Sequence, residues 1–206
     1  MALCSAADVR AYDASLTTAD DSRLDDVIAN VGAVFARHCN YPPASVGANP
    51  TMESASYTLY TDRGASPILR LSTTAIMIPA VPVTSVTSIH DDSDRDYGSG
   101  DLVSSDDYDL DGDTGLVSLR PTRSHGGWSA SFAAVKIVCA AGFSTIPDDL
   151  KHAAIVQTIA WYRGIQRAGS ENTSQGGASV RFAPRDLMQD VRDTLAHYVL
   201  HQNGIA

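Results

Sequence analysis

Hydrophobic residues recur at spacings of three and four between Leu24 and Phe35, where Leu24, Val27, Ile28, Val31, Val34 and Phe35 share one helical face. Thr18, with Asp21 three residues later, supplies a capping-box start with Asp in place of the usual Glu, so the spacing predicts a helix over about 19–38. Asn40-Tyr41-Pro42-Pro43 ends it, because two prolines remove donors and restrict the residues before them. A shorter helix is expected at 5–13, opened by Ser5 and carrying Val9 and Tyr12.

From 44 to about 143 the period becomes extended. Tyr57-Thr58-Leu59-Tyr60, Ile68-Leu69-Arg70-Leu71, Val81 to Ile89 and Ala133 to Ala140 read as strands separated by Gly, Ser and Asp clusters. Strict alternation places Val83, Ser85, Thr87 and Ile89 on one face, with Thr84, Val86 and Ser88 on the other. Tyr108 to Leu119 reads as a hairpin closed by an Asp-Gly turn at Asp111-Gly112.

Helical spacing returns at Pro147-Asp148-Asp149, a proline-opened first turn whose acids suit the positive end of the helix dipole. The helix that follows, to about Ala168, is apolar nearly all round, so it belongs at the centre of a helical layer. Its Trp161 and Tyr162 read as core or subunit-contact aromatics. Residues 169–179 (GSENTSQGGAS) are a polar connector expected to be mobile in an isolated subunit. A last helix starts near Pro184, carries Leu187, Val191, Leu195 and Tyr198 on one face, and stops at Gly204. The pattern implies an α+β chain, with helical residues 1–43 and 144–206 flanking a β-rich insertion at 44–143.

Length and composition bound this picture. The 206 residues, 44% hydrophobic and 19% charged, suffice for a core without staples. The three cysteines are odd in number and widely spaced, which suits a reducing cytoplasm better than a disulfide framework. No run approaches the roughly 20 apolar residues of a membrane span, and the N-terminus lacks a secretory pattern. Net charge is −9, and ten aspartates with one arginine between 85 and 115 carry the imbalance. Such a chain is poorly suited to tight DNA binding, which needs cations against phosphates.

Candidate chemistry is sparse. Asp107, Asp109, Asp111, Gly112 and Asp113 match the opening of a calcium loop, but the twelfth position is Ser118 instead of a bidentate glutamate, and the flanks read as strands. His197 and His201 stand four apart without the zincin glutamate between them. Arg163, Arg167, Arg181 and Arg185 read as helix-end and surface charge. No nucleophile elbow, phosphate loop or dinucleotide fingerprint occurs. Neither a catalytic set nor a cofactor or metal site is therefore expected. A calcium-binding β-rich module and a hydrolase with a triad assembled from distant residues are the competing classes.

The order of the segments is the most informative feature. A short helix, a capped helix ending in N-Y-P, strands with "PVTSVTSI" and "YDLDGDTGLVSLRP", then "AAGFSTIPDDLKHAAIVQTIAWYRG" and a final helix resemble the head-to-tail connector, or adaptor, proteins of tailed bacteriophages and gene transfer agents. The resemblance implies a bundle of about four helices, with hairpins or a small barrel inserted between the second and third. It also implies a non-enzymatic virion protein of the neck, made in the host cytoplasm. Its copies would form a dodecameric ring between the portal and the stopper or tail-completion protein, and DNA would pass through the bore without specific binding. A tail-completion or other neck protein of the same virion is the related alternative. On that likeness the C-terminal residues Val199, Leu200, His201, Gln202, Asn203, Gly204, Ile205 and Ala206 are expected to dock on the portal. Asp91, Asp92, Asp94, Asp96, Asp101, Asp106 and Asp107 are expected to form an exposed acidic surface, either facing the DNA path or serving as a solvated outer loop.

Overall fold

A computed structural model describes residues 2–45, 47–63, 67–121, 124–166, 173–175, 178–180 and 186–200. The chain is mixed α+β and divides into two compact units, Met1–Cys39 with Ile146–Val199, and Asn40–Thr145 with Leu200–Ala206.

Among the described residues, the first unit carries four α-helices: α1 (Ala6–Tyr12), α2 (Asp21–His38), α3 (Asp148–Gln166) and α4 (Gln189–Leu195). Ser5 and Asp8 form the reciprocal capping box that opens α1. The next box sits one residue earlier than the sequence suggested. Thr17 and Asp20 close it around a 3-10 turn, and α2 begins only at Asp21. Helix α3 packs against α1, α2 and α4, as its wide apolar surface requires. Leu150, Ala153, Ala154, Ile155 and Tyr162 on α3 are buried, as are Val9, Leu24, Val31, Phe35, Val191 and Leu195 on the other three. Trp161 is half-buried.

Polar contacts then fix how these helices meet. Gln157, fully buried on α3, accepts the Met188 N–H at 3.0 Å and so sets the entry to α4. The Tyr162 hydroxyl donates to Asp20 at 2.6 Å, and Arg163 reaches Asp13 at 2.7 Å, a partner that sequence reading did not supply. Lys151 pairs with Asp8 at 2.8 Å and, with Ser5, holds that carboxyl down to about 2. Helix α4 is shorter than the expected span from Pro184 to Gly204, both of which lie outside the described residues. After Leu195 a 3-10 turn runs to Tyr198, and Val199 is extended. The ends are pinned from the side: the Cys39 thiol donates to the Leu195 carbonyl at 3.6 Å, and the Tyr198 hydroxyl to Asp149 at 2.6 Å.

The second unit holds two antiparallel sheets. One has β7 (Val135–Ala141) between β1 (Ala55–Tyr60) and β4 (Val83–Asp91). The other runs in the order β2 (Leu69–Arg70), β3 (Ala75–Met77), β6 (Leu116–Leu119), β5 (Tyr108–Asp111). Strand β3 had no counterpart in the sequence reading. Tyr57, Leu59, Ile76, Ile89, Val117, Trp128, Ile137 and Cys139 join in one buried cluster. Strand β7 alternates cleanly, with Val135, Ile137, Cys139 and Ala141 buried.

Strand β4 does not alternate as expected. Register shifts fall between Val83 and Ser85 and between Val86 and Ser88, so Val83, Val86 and Ile89, three apart, all pack on the cluster. The β5–β6 turn also differs from an Asp-Gly turn. It spans four residues, 112–115, and the left-handed position is Gly115, at φ +75. In the expected mobile connector, β8 (Thr173–Gln175) pairs with β9 (Ala178–Val180), while 169–172 and 176–177 lie outside the described residues. Cys4, Cys39 and Cys139 are free and buried.

Gly142 is where the strands of the first sheet converge. Its N–H donates to the Pro82 carbonyl at 2.8 Å, and the next N–H, of Phe143, donates to Met52 at 2.8 Å. Its φ is +97, and an added Cβ would stand 2.3 Å from the Glu53 carbonyl oxygen. Gly142→Ala is expected to lower the unfolding free energy by about 2–5 kcal/mol, the sum of left-handed strain and overpacking against backbone. Gly100→Ala, which would meet nothing within 4 Å, should stay within about 0.5 kcal/mol. Urea denaturation of the two variants checks the contrast.

Candidate functional site

The acidic segment begins where β4 ends. Contrary to the expected exposed surface, its first two carboxylates are inside. The Asp91 side chain is 1% exposed, with His125 Nε2 at 2.8 Å and the Ser129 N–H donating at 2.9 Å. Asp92 is 7% exposed and accepts three backbone N–H groups, Asp94 at 2.7 Å, Asp96 at 2.7 Å and Tyr97 at 2.9 Å. Repulsion among neighbouring carboxylates by itself favours exposure. Donors supplied to these two make burial affordable, because a hydrogen-bonded carboxylate loses far less than a bare one. The Tyr97, Asp94 and Asp96 N–H groups, opposed by burial, hold the Asp92 carboxyl down to about 2.

The other five predicted residues divide. Asp94, Asp96 and Asp106 are exposed, whereas Asp101 and Asp107 are half-buried. Asp107 accepts both the N–H (3.0 Å) and the hydroxyl (2.7 Å) of Ser124, which lower its carboxyl. Asp109 is taken by Arg120 at 2.7 Å, and Asp111 accepts from Thr114 at 2.7 Å and from the Asp113 N–H at 3.1 Å. The residues that open like a calcium loop are thus divided among separate partners on a strand and a turn. A different trio is brought together: one oxygen each from Asp92, Asp96 and Asp101 lies within 4.8 Å of the others, close enough for one cation to bridge. Only an Asx-type reading of the run Asp91-Asp92-Ser93-Asp94-Arg95-Asp96 could have pointed there.

A second group, missed from sequence, lies on the solvent side of the first sheet. Tyr60 and His90 flank Lys136 in register across β1, β7 and β4. Tyr97 folds over this row, its ring 5.7 Å from Tyr60 and 6.5 Å from His90, and its hydroxyl donates to the Ala133 carbonyl at 2.6 Å. The Lys136 ammonium stands 4.9 Å from the Tyr97 ring centre, and the Arg63 guanidinium 5.0 Å from that of Tyr60. These side chains are far apart in sequence, and only strand register assembles them.

Of the expected docking segment, Val199 and Leu200 are half-buried, and the Leu200 carbonyl accepts from Asn40 at 3.2 Å. His201, Gln202, Asn203, Gly204, Ile205 and Ala206 lie outside the described residues, as do Arg167, Arg181 and Arg185. His197 is exposed. Ser124, beside His125 in sequence, gives its hydroxyl to Asp107. No helix among the described residues is long and apolar enough to cross a membrane.

No protein-family profile matches the chain, and no curated protein matches it. Among solved structures, it is similar to a chain in the neck of a native GTA particle, determined with C12 symmetry. The TM-score is 0.52 at 17% identity, over 96% of this chain and 88% of the other. At that identity the likeness is one of fold, and it takes in both units.

Asp92 gives the acidic loop a defined pH response. Its folded pKa of about 2 lies below the ordinary 3.8, so its stabilising contribution is full above the ordinary value and fades as pH falls through about 2. Amide exchange at Asp94, Asp96 and Tyr97 should be slow at pH 5 and lose protection toward pH 2. Asp92→Asn, which keeps one acceptor oxygen of two, should remove most of that protection already at pH 5. Unchanged exchange in the variant would show that the loop is held by something else.

Proposed function

We propose that this protein is a structural subunit of the neck of a phage-like particle, an adaptor whose copies form a ring joining the portal to the tail or stopper. The reading rests on one observation above the rest, the fold likeness along nearly the whole chain to a chain from a GTA particle neck. Segment order in the sequence, read independently, supports the same family. The C12 symmetry of that neck supports twelve copies here. In this reading the helices of the first unit form a bundle, and the β-rich unit is an insertion in it. The protein acts by holding neighbours in place and performs no catalysis.

The role of the acidic segment follows in part. Asp94, Asp96 and Asp106 remain available as exposed negative charge, whereas Asp91 and Asp92 serve the loop itself. On a ring, such exposed carboxylates offer DNA phosphates no counter-charge and favour passage over sticking. The C-terminal segment from Val199 to Ala206 is the portal-docking element of this reading.

Negative-stain images of the purified protein, alone and mixed with the portal ring of the same particle, test the proposal. Twelve-fold rings seated on the portal are expected, and their absence from both samples contradicts it. Truncation after Leu200 should change Tm by less than about 2 °C, equivalent to under about 1 kcal/mol, yet abolish portal binding. Portal binding that survives the truncation would exclude residues 201–206 from the docking element.

A further inference from the structure

We infer that the cation–aromatic row at one end of the β-rich unit in one copy receives the acidic β5–β6 turn of the next copy. This contact deepens the ring reading and rests on it. Copies that each carry −9 repel one another at long range, which favours an interface that sets cations of one copy against anions of another. Identical copies arranged head to tail further require two different, complementary patches on the same chain.

The β-rich unit carries both patches, at opposite ends of β4. At the Val83 end, the Val83 N–H donates to the Gly112 carbonyl at 2.7 Å, which anchors the turn bearing exposed Asp111 and Asp113. Asp113 has no cationic partner among the described residues. Strand β4 then runs eight residues, about 23 Å, from Val83 to His90 and the row that holds Lys136. There Arg63 and Lys136 are stacked on Tyr60 and Tyr97 and form no ion pair among the described residues.

A cation already stacked on a ring has lost much of its rotamer freedom, so pairing with an incoming carboxylate costs less ordering. Arg63 is itself exposed, so its charge can be reached from solvent. Exposed Asp62, Asp94 and Asp96, with Arg95 between the last two, lie at the same end of the unit. The patch is therefore two fixed point charges in an acidic surround, which accepts single carboxylates at short range and repels a polyanion such as duplex DNA. A second copy fits it better than nucleic acid does.

Zero-length carbodiimide coupling of a mixture of isotopically light and heavy full-length chains, with and without the portal ring, tests the contact directly. A heavy–light cross-link from Lys136 to Asp113 or Asp111 is expected. Joint reversal by Arg63→Glu and Lys136→Glu should weaken self-association about tenfold at low salt, and Asp113→Lys should do likewise. An equal mixture of the two reversed chains should restore association by alternating, since each turn then meets a patch of opposite sign, and the two sets combined in one chain should restore it to within about threefold of the unaltered protein. Three results overturn the contact: no Lys136 cross-link between copies, reversed chains of normal melting temperature that associate normally, or a combined set that fails to restore. Intact self-association with lost binding of a duplex of about 30 base pairs would assign the patch to DNA and overturn it too. Rings without the cross-link sink the contact and leave the ring reading standing. A cross-link between copies without rings on the portal does the reverse.

Discussion

Ten carboxylates between Asp91 and Asp113 set the terms on which the β-rich unit can fold, because like charges that close together are tolerated only in water or against donors. Both solutions are used. Asp91 and Asp92 go inside, one against His125 and the Ser129 N–H, the other under three backbone N–H groups of its own loop. Asp107, Asp109 and Asp111 bind Ser124, Arg120 and Thr114, and so tie the strand and its turn to their neighbours. The remainder stay at the surface. A segment that looks from composition like a uniform negative patch is thus largely a set of local fastenings, and only its residue of unpaired charge is left to act on other molecules.

The helical unit follows a different rule, in which apolar packing sets the arrangement and short polar contacts fix its register. Helix α3 is wrapped by the other three because its apolar residues occupy most of its circumference. Gln157, Tyr162 and Tyr198 then make the few directional contacts that distinguish one helix register from another. The half-buried ion pairs Lys151–Asp8 and Arg10–Asp21 add further fastening between helices and their flanks.

What could be seen in the sequence tracks how local each signal is. The Ser5–Asp8 cap, the α2 periodicity and the proline-opened α3 are decided within a few residues, and all three are found. Strand β7 is found because its alternation is unbroken. Errors enter where distant residues decide. The two bulges in β4 reorient Val86 because the core lies on that side, and β3 is too short to leave a pattern of its own. Burial of Asp91 depends on His125 and Ser129, more than thirty residues away. The cation–aromatic row depends on the register of three strands, which no single window of sequence contains.

Everything functional in this account hangs on the placement of the chain in a particle neck. A cryo-electron reconstruction of the intact particle's neck, with density traced residue by residue, tests that placement most directly. Twelve copies of this fold are expected in a closed ring against the portal, each fitting both the four-helix unit and the two-sheet unit. Density for this chain elsewhere in the particle, or its absence from the purified particle, would contradict it.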